Sequence, residues 1–199
     1  MVITPKEENT RAIFDIMFAR WIKSLHESYE NIEAVKKQYP EGHPERAAKL
    51  REAAMPTANC YTEDGILHPT VSNETRIGRE RIADYFQHFA EKDPKGTIDE
   101  IDAIKVFYDA SGKRYLEVSG KYTFSFGVDS DKNAPVVACR FTFLISAPEG
   151  GPYLWAKHTS NKLPEALPAP SPDHAVRRRL SGRVCEGNGN GCDCGNNYG

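Results

Sequence analysis

No stretch of this chain is apolar for the length needed to span a membrane, and neither sign of charge dominates, the formal net charge being -2 and the isoelectric point near 6.3. The first absence excludes a spanning helix, and the second excludes a global basic field for nucleic acid. The opening Met1-Val2-Ile3-Thr4-Pro5-Lys6-Glu7-Glu8 lacks the charged start, long apolar core and small-residue cleavage site of a secretory signal. A soluble cytoplasmic protein with no membrane or nucleic-acid partner is expected. Cysteine is scarce where a core would form. Cys60 and Cys139 stand singly in apolar surroundings, where they are expected to act as small buried hydrophobes, and Cys185, Cys192 and Cys194 crowd the far end. With 199 residues and 39% hydrophobic content, the chain suffices for one core plus extra segments but not for two full-sized domains.

Ile13, Phe14, Met17, Phe18, Trp21, Ile22 and Leu25 recur at helical spacing and predict an amphipathic first helix. The pattern weakens from Ser28 to Tyr39, and Pro40-Glu41-Gly42-His43-Pro44 breaks the chain before a second helical segment over 44–54. A helical insertion over about 30–55 is expected. Residues 58–65 read as a turn-rich passage leading into a short strand, 66–69, and a loop carrying Thr70 to Asn73. A third helix carries Ile82, Tyr85, Phe86 and Phe89 and closes near Asp93-Pro94-Lys95-Gly96. Beyond Gly96 the period changes to two, predicting strands at 97–108, 115–126, 136–146 and 153–160, separated by turn clusters at 109–112 and 129–133. Helices first and four hairpin-spaced strands last give an α+β cone, an antiparallel sheet curving around the helices and enclosing a pocket. That domain is expected over 1–164. The Pro/Arg-rich and then Gly/Asn/Cys-rich remainder, 165–199, has too few apolar residues for a core and is expected to be a flexible tail.

The most distinctive segment is Tyr153-Leu154-Trp155-Ala156-Lys157-His158-Thr159-Ser160-Asn161-Lys162-Leu163-Pro164, an apolar strand ending in hydroxyls beside a histidine. Strand alternation puts His158 and Ser160 on one face and Thr159 on the other. Leu67-His68-Pro69-Thr70-Val71-Ser72-Asn73 and the Asp84-Tyr85-Phe86 helix could face that strand across the pocket.

The element order resembles the nuclear transport factor 2-like superfamily. Three segments, 67–73, 82–89 followed by Pro94-Lys95-Gly96, and 157–164, resemble the signature segments of iota-class carbonic anhydrases, relatives of the calcium/calmodulin-dependent kinase II association domain. The resemblance runs from about Tyr61 to Pro164. It implies reversible hydration of carbon dioxide to bicarbonate. The implied catalytic residues are Thr70, Tyr85, His158 and Ser160, with Thr70, Tyr85, Thr159 and Ser160 binding substrate, and a homodimer formed through the sheet. Where the family has a doubled histidine and a doubled serine, this chain has Lys157-His158 and Thr159-Ser160.

A catalytic zinc site wants about three His or carboxylate ligands. His26 falls on the first helix, His43 in a turn and His174 in the tail, and the remaining His68, His88 and His158 cannot be assembled into such a ligand set from the sequence, so neither metal nor cofactor is expected. The hydroxyls of Thr70, Tyr85 and Ser160 would then position water and the bicarbonate oxygens. His158 would accept a proton with a pKa near the operating pH. Plainer alternatives stand beside these roles: a core tyrosine at 85, a loop brace at Thr70, and cross-strand polar partners at His158 and Ser160. A non-catalytic association domain also remains open. In the tail, Cys185, Cys192 and Cys194 leave open a soft-metal site, a modified peptide released near Arg177-Arg178-Arg179 with the globular domain as its carrier, or incidental cysteines.

Overall fold

The computed structural model describes residues 5–127, 135–146 and 152–164, with side chains from Thr10 onward. The tail with Cys185, Cys192 and Cys194, and the expected turn at 129–133, lie outside the described residues.

Helix α1 spans Pro5–Gln38 and buries Ile13, Phe14, Met17, Phe18, Trp21 and Leu25, the stripe read from the sequence. It does not fade at Ser28. The stripe continues as Ser28, Ile32 and Val35, where the Ser28 hydroxyl meets the Thr57 hydroxyl at 2.9 Å and Ile32 packs with Leu50, Ala53 and Ala90. The second helix expected over 44–54 is α2, Arg46–Ala53, and a further single turn, α3, at Met55–Ala58 follows it ahead of Tyr61. Helix α4, Arg79–Ala90, presents Ile82, Ala83, Phe86 and Ala90 inward.

The strands are β1 Tyr61–His68, β2 Arg76–Ile77, β3 Pro94–Tyr108, β4 Arg114–Phe126, β5 Val136–Ser146 and β6 Leu154–Lys162. They form one six-stranded sheet in the order β2-β1-β6-β5-β4-β3. The four strands beyond α4 are antiparallel neighbours, as their hairpin spacing predicts, and β1, which joins β6 in parallel, makes the six-stranded sheet a mixed one. β1 starts five residues before the expected strand because the supposed turn pairs with β6. Tyr61 lies opposite Trp155, and the register slips before Ile66 meets Lys157. Gly65 sits in that slip, where a Cβ would come within 3.0 Å of Thr62 O and Tyr61 Cβ. Pro94 opens β3 at the sheet edge, a strand's first position being one that tolerates proline.

Curvature enters through β3, whose pairing with β4 is interrupted between Ile98 and Glu100 and again between Ile101 and Ala103. Such irregularities bend a strand and increase its twist. The sheet thus wraps α1. Its inner face supplies Leu116, Val118, Tyr122 and Phe124 from β4, Phe141, Phe143 and Ile145 from β5, and Trp155 from β6. Trp21 stands at the centre of this packing, its indole edge-on to Phe86, Phe124 and Phe143 at centroid distances of 6.1, 6.0 and 5.8 Å. Each fully buried aromatic or aliphatic side chain here contributes about 1.5–3 kcal/mol.

Candidate active site

Between α1, α4 and the inner face of the sheet lies a cavity of about 520 Å³. Leu67, Phe86, Phe89, Phe124, Phe126 and Val137 give it apolar walls. Its polar atoms come from few places. β6 contributes His158 and Ser160, which point the same way by strand alternation. β4 contributes Tyr122, β5 Cys139, the loop after β1 Thr70, and α4 Tyr85, while the exposed Lys92 in the turn after α4 also lines the cavity apart from these groups. Thr70, Tyr85 and the His158–Ser160 pair, which come from a loop, a helix and a strand, therefore line one space.

Thr159 does not line it. It occupies the other face of β6, opposite Thr142 and His68 in register. Lys157 is exposed on that same outer face and does not line the cavity. His68 meets the Thr75 hydroxyl at 2.9 Å, and His88 is exposed on α4. Among the described residues no group of three His, Cys, Asp or Glu side chains is placed to hold a metal ion.

The imidazole of His158 is sealed in. Phe143 stacks on it at 4.2 Å and the Trp21 indole meets it edge-on at 5.3 Å. Nδ1 lies 2.9 Å from the Tyr61 hydroxyl and Nε2 3.3 Å from the Tyr122 hydroxyl. The Tyr122 hydroxyl donates to Ser160 Oγ at 2.5 Å, Ser160 is in short contact with Thr70 Oγ1, and Thr70 donates to Cys139 Sγ at 3.7 Å. Burial, aided by the charge His68 acquires on protonation, pushes the His158 pKa down to about 3. The expectation of an imidazole poised near the operating pH is corrected: desolvation keeps this ring neutral. Burial likewise raises the Tyr61, Tyr122 and Cys139 pKa values, so the polar wall carries no charge at neutral pH.

Tyr85 differs from the other hydroxyls. Its ring stacks on Phe89 at 5.7 Å, yet its hydroxyl has no hydrogen-bond partner among the described residues. Burial, and secondarily the Cys139 thiol, raise its pKa, with Arg76 acting the other way. It remains a free proton donor.

Tyr61, Tyr122, Trp21 and Cys139 are absent from the set read from the sequence. Alternation alone places Tyr122 inward with Val118, Gly120 and Phe124, and the α1 stripe places Trp21. Nothing local marks Tyr61, which falls in a passage that reads as a turn.

No family model matches the sequence, and no curated protein matches it. Among solved structures, a protein from Xanthomonas campestris described as a calcium/calmodulin-dependent protein kinase II association domain is 28% identical, with a TM-score of 0.55 over 83% of this chain and 95% of that one. A protein from Catenulispora acidiphila is 18% identical, with a TM-score of 0.50 over 79% of this chain and 94% of that one. A ketosteroid isomerase-like protein from Erwinia carotovora atroseptica is 18% identical, with a TM-score of 0.41 over 70% and 98% respectively.

Proposed function

Because this chain has the nuclear transport factor 2-like fold and a largely apolar cavity with one hydroxyl-rich wall, we propose that it catalyses the reversible hydration of carbon dioxide, with hydroxyl groups doing the work otherwise given to a metal. The observation that carries this reading is the convergence of Thr70, Tyr85, His158 and Ser160 on one cavity. Apolar walls suit carbon dioxide, and the free Tyr85 hydroxyl is a donor for one of its oxygens. Water binds at the Thr70 and Ser160 lone pairs.

With the His158 pKa pushed down to about 3 by burial, its imidazole is a weak base, so the proton takes a cyclic route. As the water oxygen bonds to carbon, one of its protons passes to Thr70 Oγ1 while the Thr70 proton passes to the second oxygen of carbon dioxide. The carbon-oxygen double bond becomes single and carbonic acid leaves, ionising to bicarbonate in solvent. Thr70 suits this exchange because a thiol is a weak acceptor, leaving the hydroxyl proton on Cys139 easily redirected. Proton transfer of this kind contributes about 10²–10⁴-fold in rate.

The experiment is stopped-flow hydration of carbon dioxide by the full chain, with and without a strong chelator. Chelator-resistant turnover above the uncatalysed rate is expected. Either no turnover or turnover abolished by the chelator overturns the proposal.

A second reading, assembly of copies through the outer face of the sheet, is favoured by the 28% identity to the Xanthomonas association-domain protein. It predicts a homodimer. Light scattering that returns the monomer mass across a hundredfold dilution series would rule it out.

A further inference from the structure

The protons of the polar wall can be followed one by one. Tyr122 places its single hydroxyl proton on Ser160 Oγ, so its oxygen meets His158 Nε2 only as an acceptor. At the other end Thr70 places its proton on Cys139 Sγ, so in the short Thr70–Ser160 contact Ser160 is the donor. The two ends agree at Ser160, which accepts from Tyr122 and donates to Thr70. A neutral imidazole has one N–H and one lone pair. With the proton on Nε2, Nδ1 must accept, and the Tyr61 hydroxyl is there at 2.9 Å to donate.

We infer that Tyr61 and Tyr122 hold His158 as its neutral Nε2–H tautomer and so fix one direction of proton donation, from Tyr61 through His158, Tyr122 and Ser160 to Thr70. Both tyrosines are positioning residues. They touch no reacting atom, but they decide which way the Ser160 and Thr70 hydroxyls point. The remaining surroundings do not compete for the ring nitrogens: Phe143 covers one face of the imidazole, the Trp21 ring stands edge-on to it, and His68 acts on it only through charge. Donation by Ser160 polarises the Thr70 hydroxyl and makes it a better donor, since successive hydrogen bonds reinforce one another. Ser160 and Thr70 each keep a lone pair for the incoming water.

The test uses the full chain labelled with ¹⁵N-histidine, long-range proton-nitrogen spectra, and assignment of His158 by loss of its signals in His158→Gln. The wild type is expected to show Nε2 protonated and Nδ1 bare, unchanged from about pH 5 to about pH 8, as an imidazole with a strongly depressed pKa must. A wild-type Nδ1–H tautomer, or an imidazolium, overturns the inference. Tyr122→Phe removes the acceptor for Nε2–H and is expected to bring up the Nδ1–H tautomer; in carbon dioxide hydration it should lower kcat at least about tenfold with KM within about twofold. A folded Tyr122→Phe protein with the wild-type tautomer and kcat also overturns it. Should that variant fail to fold, the wild-type spectrum still decides the tautomer. The kinetic arm rests on the hydration reading and the spectroscopic arm does not. The Nε2–H tautomer in a protein without turnover would sink hydration and leave the proton direction standing.

Discussion

Tyr122 on β4 reaches Ser160 on β6 across the whole width of β5. Its ring lies flat on Phe141, 5.2 Å between centroids and 8° between planes, and its hydroxyl arrives at Ser160 Oγ at 2.5 Å. Phe141 stands in register with both Gly120 and Ser160, so the residue two before Tyr122 has no side chain to fill that row. The aromatic platform and the missing side chain together let one phenol organise a site two strands away.

Tyr85 and Ser160 should separate function from stability. Tyr85→Phe removes a hydroxyl that no group among the described residues uses, so the unfolding free energy should be unchanged or slightly higher while hydration falls at least about tenfold. Ser160→Ala strands the Tyr122 donor and should cost about 1–3 kcal/mol in urea unfolding as well as activity. Wild-type turnover in a folded Tyr85→Phe protein would remove Tyr85 from the mechanism.

The sealed imidazole makes the fold acid-sensitive. His158 has a pKa of about 3 when folded and 6.5 when exposed, so between these values the unfolded chain binds more protons and stability falls as the pH falls below about 6.5. The slope approaches about 1.4 kcal/mol per pH unit. Between pH 7 and pH 5 the wild type should lose about 2 kcal/mol more than His158→Gln. Parallel losses in the two proteins would show that His158 is not held neutral.

The same burial shapes the rate. With no group of the polar wall titrating near neutrality, kcat/KM for hydration should be flat from about pH 6 to about pH 8 once the rate is referred to dissolved carbon dioxide. A single inflection near the ordinary histidine value would restore His158 as a base.

Gly120→Ala should be among the most damaging single-carbon additions. The new Cβ would sit 2.1 Å from the Glu100 carbonyl oxygen and 2.9 Å from the Phe141 ring, so backbone must move at the point where β3 bends. A loss of at least about 2 kcal/mol is expected in thermal or urea unfolding. At Gly112 a Cβ meets nothing within 4 Å, so an alanine there costs only its positive φ of 83°. Equal losses at the two glycines would show that crowding at Gly120 is not the cause.

Much of this arrangement is legible one element at a time. The helical stripe of α1, the α4 face and the period-two strands follow from local spacing. So does the shared direction of His158 and Ser160, and the same alternation turns Thr159 away from the cavity even though the resemblance gave it a substrate-binding role. What spacing does not carry is pairing between distant segments. Tyr61 to Gly65 reads as a turn because its strand character exists only through β6, almost a hundred residues on. The pKa of His158 escapes for a related reason: a histidine looks poised for proton transfer until Phe143, Trp21 and the two tyrosines close around it, and that closure belongs to the packed fold.

The parallel pairing of β1 with β6 joins the earliest strand to the latest. The Tyr61–His158 contact spans 97 residues and the Thr70–Ser160 contact spans 90, so each closes a loop covering about half of the chain. Contacts of such long sequence separation form late and slowly. A ribosome that has not yet released residue 160 holds a chain with α1, α4 and the middle strands but without the polar wall, its aromatic interior open to solvent and to other chains. Any chemistry in this cavity would therefore wait on the emergence of β6, since that one strand both closes the core and delivers the imidazole and hydroxyl of the polar wall.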